Sequence, residues 1–330
     1  MKFPMSSKRV AAWCGGVLVA AVVAACGGGE QVSSFEADRV IALGDESSVI
    51  EDVQNNGNGR KYTVNATVSE TDLTLDCLSN PLWIQVIAAN YGTVFPECNP
   101  APNAVANPAS RIRAKPGARI ADLAAQIAAQ QAESPLNAND MVTVLVGQND
   151  VLALYAEYPT ATEAQLLTRA EALGVELGRQ INAITDMGPR VLVSTVIDVG
   201  ETPFGRAEDA AHPTEERAGL LSRLTERLNE GMRATLINDG RRIGLVLTDG
   251  IISRIVDDPD IEDFDNAEDP ACDLAKSKLN PPSVLDCTVA TLVPGATVRT
   301  YLWADNLHLS PGGQALFGDL ARDRAQNNPF

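Results

Sequence analysis

The sequence predicts an α/β protein, a three-layer α/β/α sandwich with a mostly parallel central sheet. Three observations lead there. Near-continuous apolar runs such as Met141-Val-Thr-Val-Leu-Val146 and Arg190-Val-Leu-Val-Ser-Thr-Val196 read as strands buried on both faces. Stretches with helical apolar spacing separate them. The residues able to do chemistry follow the strands directly, at the carboxyl ends where such folds collect their sites.

The N-terminus is read apart from the fold. Lys2, Lys8 and Arg9 precede a small, apolar stretch from Val17 to Ala25 that ends Val23-Ala24-Ala25-Cys26. Residues 1–25 read as a bacterial export signal. Its end resembles a lipoprotein processing site, with Cys26 as the lipid-carrying terminus. The apolar stretch is short of the ~20 residues that cross a bilayer. Gly27-Gly-Gly29 then opens a flexible tether within residues 26–36, and residues 37–330 form a single domain.

Within that domain Arg39-Val-Ile-Ala-Leu43 is the first strand, and Ser47-Ser-Val-Ile-Glu51 can open a helix beyond the turn. Lys61 to Val68 alternates and reads as a strand or hairpin beside the main sheet. Trp83 to Ala89 fits helix or strand equally. Pro96 to Pro108 is loop. Ile120 to Ile127 is an amphipathic helix, and Met141 to Val146 is a strand running into Gly147-Gln-Asn-Asp150. Thr162-x-x-Gln165 is a capping box opening a helix with apolar residues at Leu166, Ala170, Leu173, Leu177, Ile181 and Ile184; Gly188-Pro189 stops it. Arg190 to Val196 is a strand, 214–238 a helix, and Ile243 to Thr248 a strand. Val298 to Trp303 leads into Asp305-x-x-His308. Ser310-Pro311 starts the last helix as an N-cap with proline in first position.

Composition narrows the partners. The 330-residue chain carries a formal charge of -17. Loss of Lys2, Lys8 and Arg9 with the signal brings this to -20, with nine acidic residues between Asp257 and Asp273. Such a chain repels nucleic acid and anionic lipid, so no nucleic-acid partner is expected. Cys77, Cys98, Cys272 and Cys287 remain once Cys14 and Cys26 are set aside, and four cysteines allow three pairings. The sequence-local pairing, Cys77–Cys98 with Cys272–Cys287, is favoured because it closes two modest loops. A metal site competes poorly, with no C-x-x-C and only two histidines. The acidic stretch lacks calcium-loop spacing and reads as a solvated surface.

Four short blocks carry the chemistry: Gly44-Asp-Glu-Ser-Ser48, Lys115-Pro-Gly117-Ala with Asp122-Leu-x-x-Gln126, Gly147-x-Asn149-Asp150, and Asp305-x-x-His308. In this order they resemble the GDSL, or SGNH, esterases and lipases over nearly the whole mature chain. Val199-Gly-Glu-Thr-Pro203, Leu228-Asn229 and Phe264-Asp-Asn266 to Cys272 are similar to segments of longer bacterial lipases of that family. The resemblance implies an SGNH-type fold and hydrolysis of carboxylic esters, lipid or acyl, through an acyl-enzyme. It implies His308 as general base oriented by Asp305, Gly117 N–H and the Asn149 amide as oxyanion donors, and no cofactor. A monomer acting on an ester substrate or binding an acyl ligand is expected, anchored by lipid at the bacterial cell envelope. Gly27 after the lipid cysteine tilts the expectation to the outer membrane, facing the periplasm or the cell surface.

One position departs from the pattern. Aligned without a gap, the family's nucleophilic serine falls on Glu46, and Ser47 lies one residue on, turned by ~100° along a helix. Three readings stand open. A remodelled turn brings Ser47 to His308 and the enzyme works. Alternatively Glu46 sits in the oxyanion hole like a trapped anion, leaving an inactive site that binds an acyl or glycan ligand or a protein partner. In the third, Glu46 itself attacks or serves as base, although its attack on an ester would give an anhydride. Taken singly, Asp305 is a turn former, Asn149-Asp150 a helix cap and His308 a surface residue; the spacing among the blocks argues otherwise. His212, in a charged loop, has no such support.

Overall fold

In the computed structural model of the chain, residues 35–69 and 71–327 are described. The expected export signal and Cys26 lie outside them, as does most of the tether. Strand β1 (Arg39–Gly44) ends in a single 3-10 turn at Glu46–Ser48, and β2 (Ile50–Glu51) pairs antiparallel with β3 (Arg60–Lys61). Helix α1 (Trp83–Asn90) and the short strand β4 (Arg111–Ile112) follow. Then come α2 (Leu123–Glu133), β5 (Asp140–Leu145), α3 (Gln148–Tyr155) and the long α4 (Glu163–Asp186). Strand β6 (Arg190–Ser194), helices α5 (Pro203–Ala211) and α6 (Arg217–Thr235), β7 (Ile243–Val246) and α7 (Thr248–Asp257) complete the main body. The chain closes with β8 (Asn266–Pro270), β9 (Tyr301–Trp303) and α8 (Pro311–Asn327).

The central sheet has five strands in the order β4-β1-β5-β6-β7, all parallel. Alternation along each strand feeds two cores. Val40 and Ala42 of β1 pack with Trp83 and Ile87 of α1 and Phe317 of α8. Ile41 and Leu43 pack with Leu123 of α2, Leu177 of α4 and Leu228 of α6. Each such side chain, fully removed from water, contributes on the order of 2 kcal/mol. The architecture is the expected three-layer α/β/α sandwich.

Register sets up the site. β1 and β5 pair from Arg39↔Asp140 to Gly44↔Leu145, so both strands end side by side and their turns leave the same sheet edge. An Arg39–Asp140 ion pair at 2.7 Å fixes the opposite end. Gly44 has φ +127°, and a Cβ there would come within 1.8 Å of the Leu145 carbonyl oxygen. Only glycine fits.

The structure corrects several local expectations. The helix expected over Ser47–Glu51 is one 3-10 turn, because Asp45 accepts from Ser47 N–H and the next residues pair with β3 instead. Of the strand or hairpin expected over Lys61–Val68, Lys61 joins the β2–β3 pairing and Thr67 bridges Leu75 antiparallel. Trp83–Ala89 is helix. Val298–Trp303 leads into Asp305 as expected, and its end, β9, pairs parallel with β8 outside the central sheet.

The favoured disulfides, Cys77–Cys98 and Cys272–Cys287, are both formed. Beside the first, the fully buried Lys61 ammonium donates to the carbonyls of Cys77, Ser79 and Asn80 at 2.9, 2.6 and 2.7 Å. Beside the second, Cys272 N–H donates to Ala304, whose own N–H closes the following turn onto the His308 carbonyl.

Candidate active site

The turn after β1, the loop before α2, the start of α3 and the turn after β9 meet at one point. At its centre is the carboxylate of Glu46. Oε2 accepts from Gly117 N–H at 2.8 Å and from the Asn149 amide at 3.0 Å. The same amide reaches Oε1 at 3.2 Å and the Ala118 carbonyl at 3.2 Å. Gly117 presents its N–H from φ +72°, a conformation suited to glycine. Asn149 stands in the first turn of α3, directed by the β5 register.

Opposite Oε1 lies His308, whose Nε2 is 3.9 Å away. That is too long for a hydrogen bond, and among the described residues Nε2 has no hydrogen-bond partner. Its Nδ1 meets both oxygens of Asp305 at 2.9 Å. Asp305 also accepts from the N–H groups of Leu307 and His308, so the turn that carries the base is tied to the carboxylate that orients it. The side chains of Glu46, His308 and Asp305 keep 10, 11 and 13% of their surface exposed.

Charge in this cluster is uneven. Burial pulls His308 down, but Asp305 and then Glu46 outweigh it and push the imidazole up to about 10. Burial raises Glu46, yet His308, its own backbone N–H and Gly117 bring it below the ordinary carboxylate value. Asp305 is likewise held low, His308 overcoming the effect of burial. Asp45 behaves oppositely: burial, then the neighbouring Glu46 charge, raise it to about 8. The site thus biases Asp45 toward its neutral form and the imidazole, between two carboxylates, toward its charged form.

Four of the residues anticipated from sequence converge here: Gly117, Asn149, Asp305 and His308, around Glu46. Ser47 does not join them. Its N–H bonds Asp45, and its hydroxyl is not within bonding reach of the partnerless His308 Nε2. Ser48 is buried under the indole of Trp83, which donates to its hydroxyl at 3.1 Å. His212 is partly exposed, 3.9 Å from Glu208 and outside the cluster.

Gln126 and Asp150, both within the anticipated blocks, support the site, and Tyr62 joins them from outside any block. Gln126 brackets Gly44, and Asp150 accepts from Ile120 N–H at 3.0 Å, tying α3 to the segment after Gly117 instead of simply capping its own helix. Tyr62 tilts against the His308 ring at 5.4 Å and donates to Glu51 at 2.6 Å. The short alternation around Tyr62 marked a strand, not a wall of the site.

A family model described as GDSL-like Lipase/Acylhydrolase matches residues 79–321. The match takes in Gly117, Asn149, Asp305 and His308 and begins beyond Glu46. No curated protein matches the sequence. Among solved structures the chain is similar to a lipolytic G-D-S-L family protein from Veillonella parvula, at 10% identity and a TM-score of 0.44 over 86% of this chain and 95% of that one. A lipase from a goat rumen metagenome gives 12% and 0.43 over 87% and 97%. An acetylxylan esterase from Geobacillus stearothermophilus gives 14% and 0.40 over 89% and 95%.

Proposed function

The chain belongs to the GDSL-like lipase/acylhydrolase family, a family of ester hydrolases, and on that premise we propose that it cleaves carboxylic esters at the Glu46 site. One observation carries the reading: two donors, Gly117 N–H and the Asn149 amide, converge on a single carboxylate oxygen in front of His308. That is the disposition an ester carbonyl needs when negative charge develops on its oxygen.

In this reading the ester carbonyl displaces Glu46 and takes the place of Oε2. With Ser47 turned away, water is the nucleophile. Once Glu46 has withdrawn, His308 loses one of the two charges that keep it protonated and can accept the water proton. Asp305 steadies the imidazolium. The proton then passes to the departing alcohol, and the acid is released. A second reading is favoured by the Glu46–Gly117 bond. Cβ–Cγ–Cδ of glutamate follows the same path as Cβ–Oγ–C of an acylated serine, so Glu46 imitates an acyl-enzyme and the site binds without turnover.

Nitrophenyl ester hydrolysis by the purified full chain separates the two. Turnover by wild type that His308→Ala abolishes and Ser47→Ala leaves intact supports water attack. An inert wild type whose Glu46→Ser variant becomes active supports the acyl-enzyme mimic. Loss on Ser47→Ala would restore Ser47 as nucleophile and overturn both.

The same proposal places the domain at the bacterial cell envelope, on the outer membrane, held by lipid on Cys26. Metabolic palmitate labelling that disappears in Cys26→Ser supports it, and labelling that persists removes it.

A further inference from the structure

A carboxylate that attacks an acyl carbon makes an anhydride, but one that attacks a saturated carbon makes an ester. The second product suits this site. Glu46 Oε2 already sits on the two donors that would stabilise charge on an ester carbonyl oxygen. Oε1 takes a longer bond from the same Asn149 amide, at 3.2 Å, and faces His308 Nε2 across 3.9 Å. That gap is too wide for a hydrogen bond, and Nε2 has no other partner among the described residues. The carboxylate is held in one orientation and still keeps a tenth of its side-chain surface accessible. A fixed nucleophile facing a free proton carrier is the usual anatomy of covalent catalysis.

We propose that Glu46 is a nucleophile toward saturated carbon, that the substrate class is an aliphatic epoxide, and that the ester this site hydrolyses is the one it forms on Glu46 itself. The idea does not rest on an external ester displacing Glu46.

The step balances in atoms and charge. A lone pair on Oε1 attacks the less hindered ring carbon, and the ring C–O bond breaks toward its oxygen. That oxygen takes the proton from His308 Nε2, which becomes neutral. Glu46 is now a hydroxyalkyl ester, its carbonyl oxygen on Gly117 and Asn149. Neutral His308 is the base the next step requires. It accepts a proton from water as the water oxygen bonds to Cδ, and the charge appears on Oε2 between the two donors. Collapse breaks the bond from Cδ to the alkyl oxygen. The departing alkoxide takes the proton from His308 and leaves as a diol. The new carboxylic acid returns its proton to His308, which restores the carboxylate–imidazolium pair. Asp305, on both oxygens of which Nδ1 rests, holds the ring through each transfer.

The first step needs a charged proton donor, and Asp305 and Glu46, on either side of the ring, bias His308 toward the imidazolium against the effect of burial. Tyr62 tilts against the His308 ring at 5.4 Å and so limits its movement.

The test uses a short terminal epoxide such as 1,2-epoxyhexane and the full chain. With enzyme in excess in oxygen-18 water, a first turnover should leave the heavy oxygen in the Glu46 carboxylate and none in the diol. His308→Gln, which lacks the proton donor of the first step, should lower epoxide consumption to the uncatalysed rate and leave no adduct on the Glu46 peptide. Glu46→Gln should lower epoxide consumption to the uncatalysed rate. Heavy oxygen appearing in the diol during the first turnover, or no consumption by wild type, overturns the proposal. The labelling result needs no variant, so a misfolded His308→Gln does not obscure it. Nitrophenyl ester turnover is read separately and can fail or succeed independently.

Discussion

Gln126 holds the backbone of Gly44 at both of its polar groups: its side-chain oxygen accepts from Gly44 N–H and its amide donates to the Gly44 carbonyl, each at 2.8 Å. Gln126 is buried, so no water stands in for it. The last residue of β1 is thereby fixed to α2, and with it the turn that places Glu46.

Replacing Gln126 by Leu orphans the Gly44 N–H in a dry interior, whereas the Gly44 carbonyl keeps the Lys115 N–H at 3.0 Å. Unmet buried groups of this kind cost about 1–3 kcal/mol each. Thermal unfolding of Gln126→Leu should fall by several degrees. Activity at the Glu46 site should drop further than the stability loss accounts for.

Lys61 is the second structural test. Its ammonium satisfies three carbonyls beside the Cys77–Cys98 bridge. Lys61→Met keeps the stem and removes the donors, so denaturant titration should show a loss of about 3 kcal/mol or more. An unchanged midpoint would mean water fills the space.

The pH dependence has a definite sign. His308 is raised to about 10 against roughly 6.5 in an unfolded chain. Its contribution to stability is complete below roughly 6.5 and is lost as pH climbs through about 10. Asp45, raised to about 8 from roughly 3.9, acts in the same direction at lower pH. The groups facing His308 are Asp305, Glu46, Asp45 and Tyr62. Melting temperature should therefore fall as pH climbs from about 7 to 10, and His308→Gln should flatten the slope.

Removing the Cys272–Cys287 bridge, which closes a separation of 15 residues, should cost about 3 kcal/mol. Because Cys272 bonds Ala304 directly before Asp305, Cys272→Ser with Cys287→Ser should also impair the site. Loss of the Cys77–Cys98 bridge should affect stability with little change in the chemistry. Equal effects on activity from both pairs would contradict this.

Much of this was legible in the chain, for reasons that differ by element. β1, β5, β6 and β7 are buried on both faces and so announce themselves as apolar runs. Helix α4 shows its capping box outright, with Gln165 N–H on Thr162 and the Gln165 side chain accepting from Thr162 N–H. β4 could not be read, being two residues on a sheet edge. β8, Asn-Ala-Glu-Asp-Pro, is defined by its neighbour β9 and not by any periodicity of its own.

At the site, spacing brought forward Gly117, Asn149, Asp305 and His308 but could not choose among readings of Glu46 and Ser47. That choice depended on where the Asp45 turn points two adjacent side chains, which is a matter of a single 3-10 turn. Gln126 closes the second block, but Tyr62 acts through a contact distant in sequence, where no local pattern reports it.

The pairing of β8 with β9 outside the central sheet divides the site between two supports. Glu46 and Asn149 stand at the edge of the five-stranded sheet, whereas Asp305 and His308 ride on a small annex stapled by its own disulfide. A change at position 46 therefore falls on a support other than the one that carries the imidazole. Strain or loosening in the annex would thus reach the imidazole without passing through the sheet that holds the carboxylate.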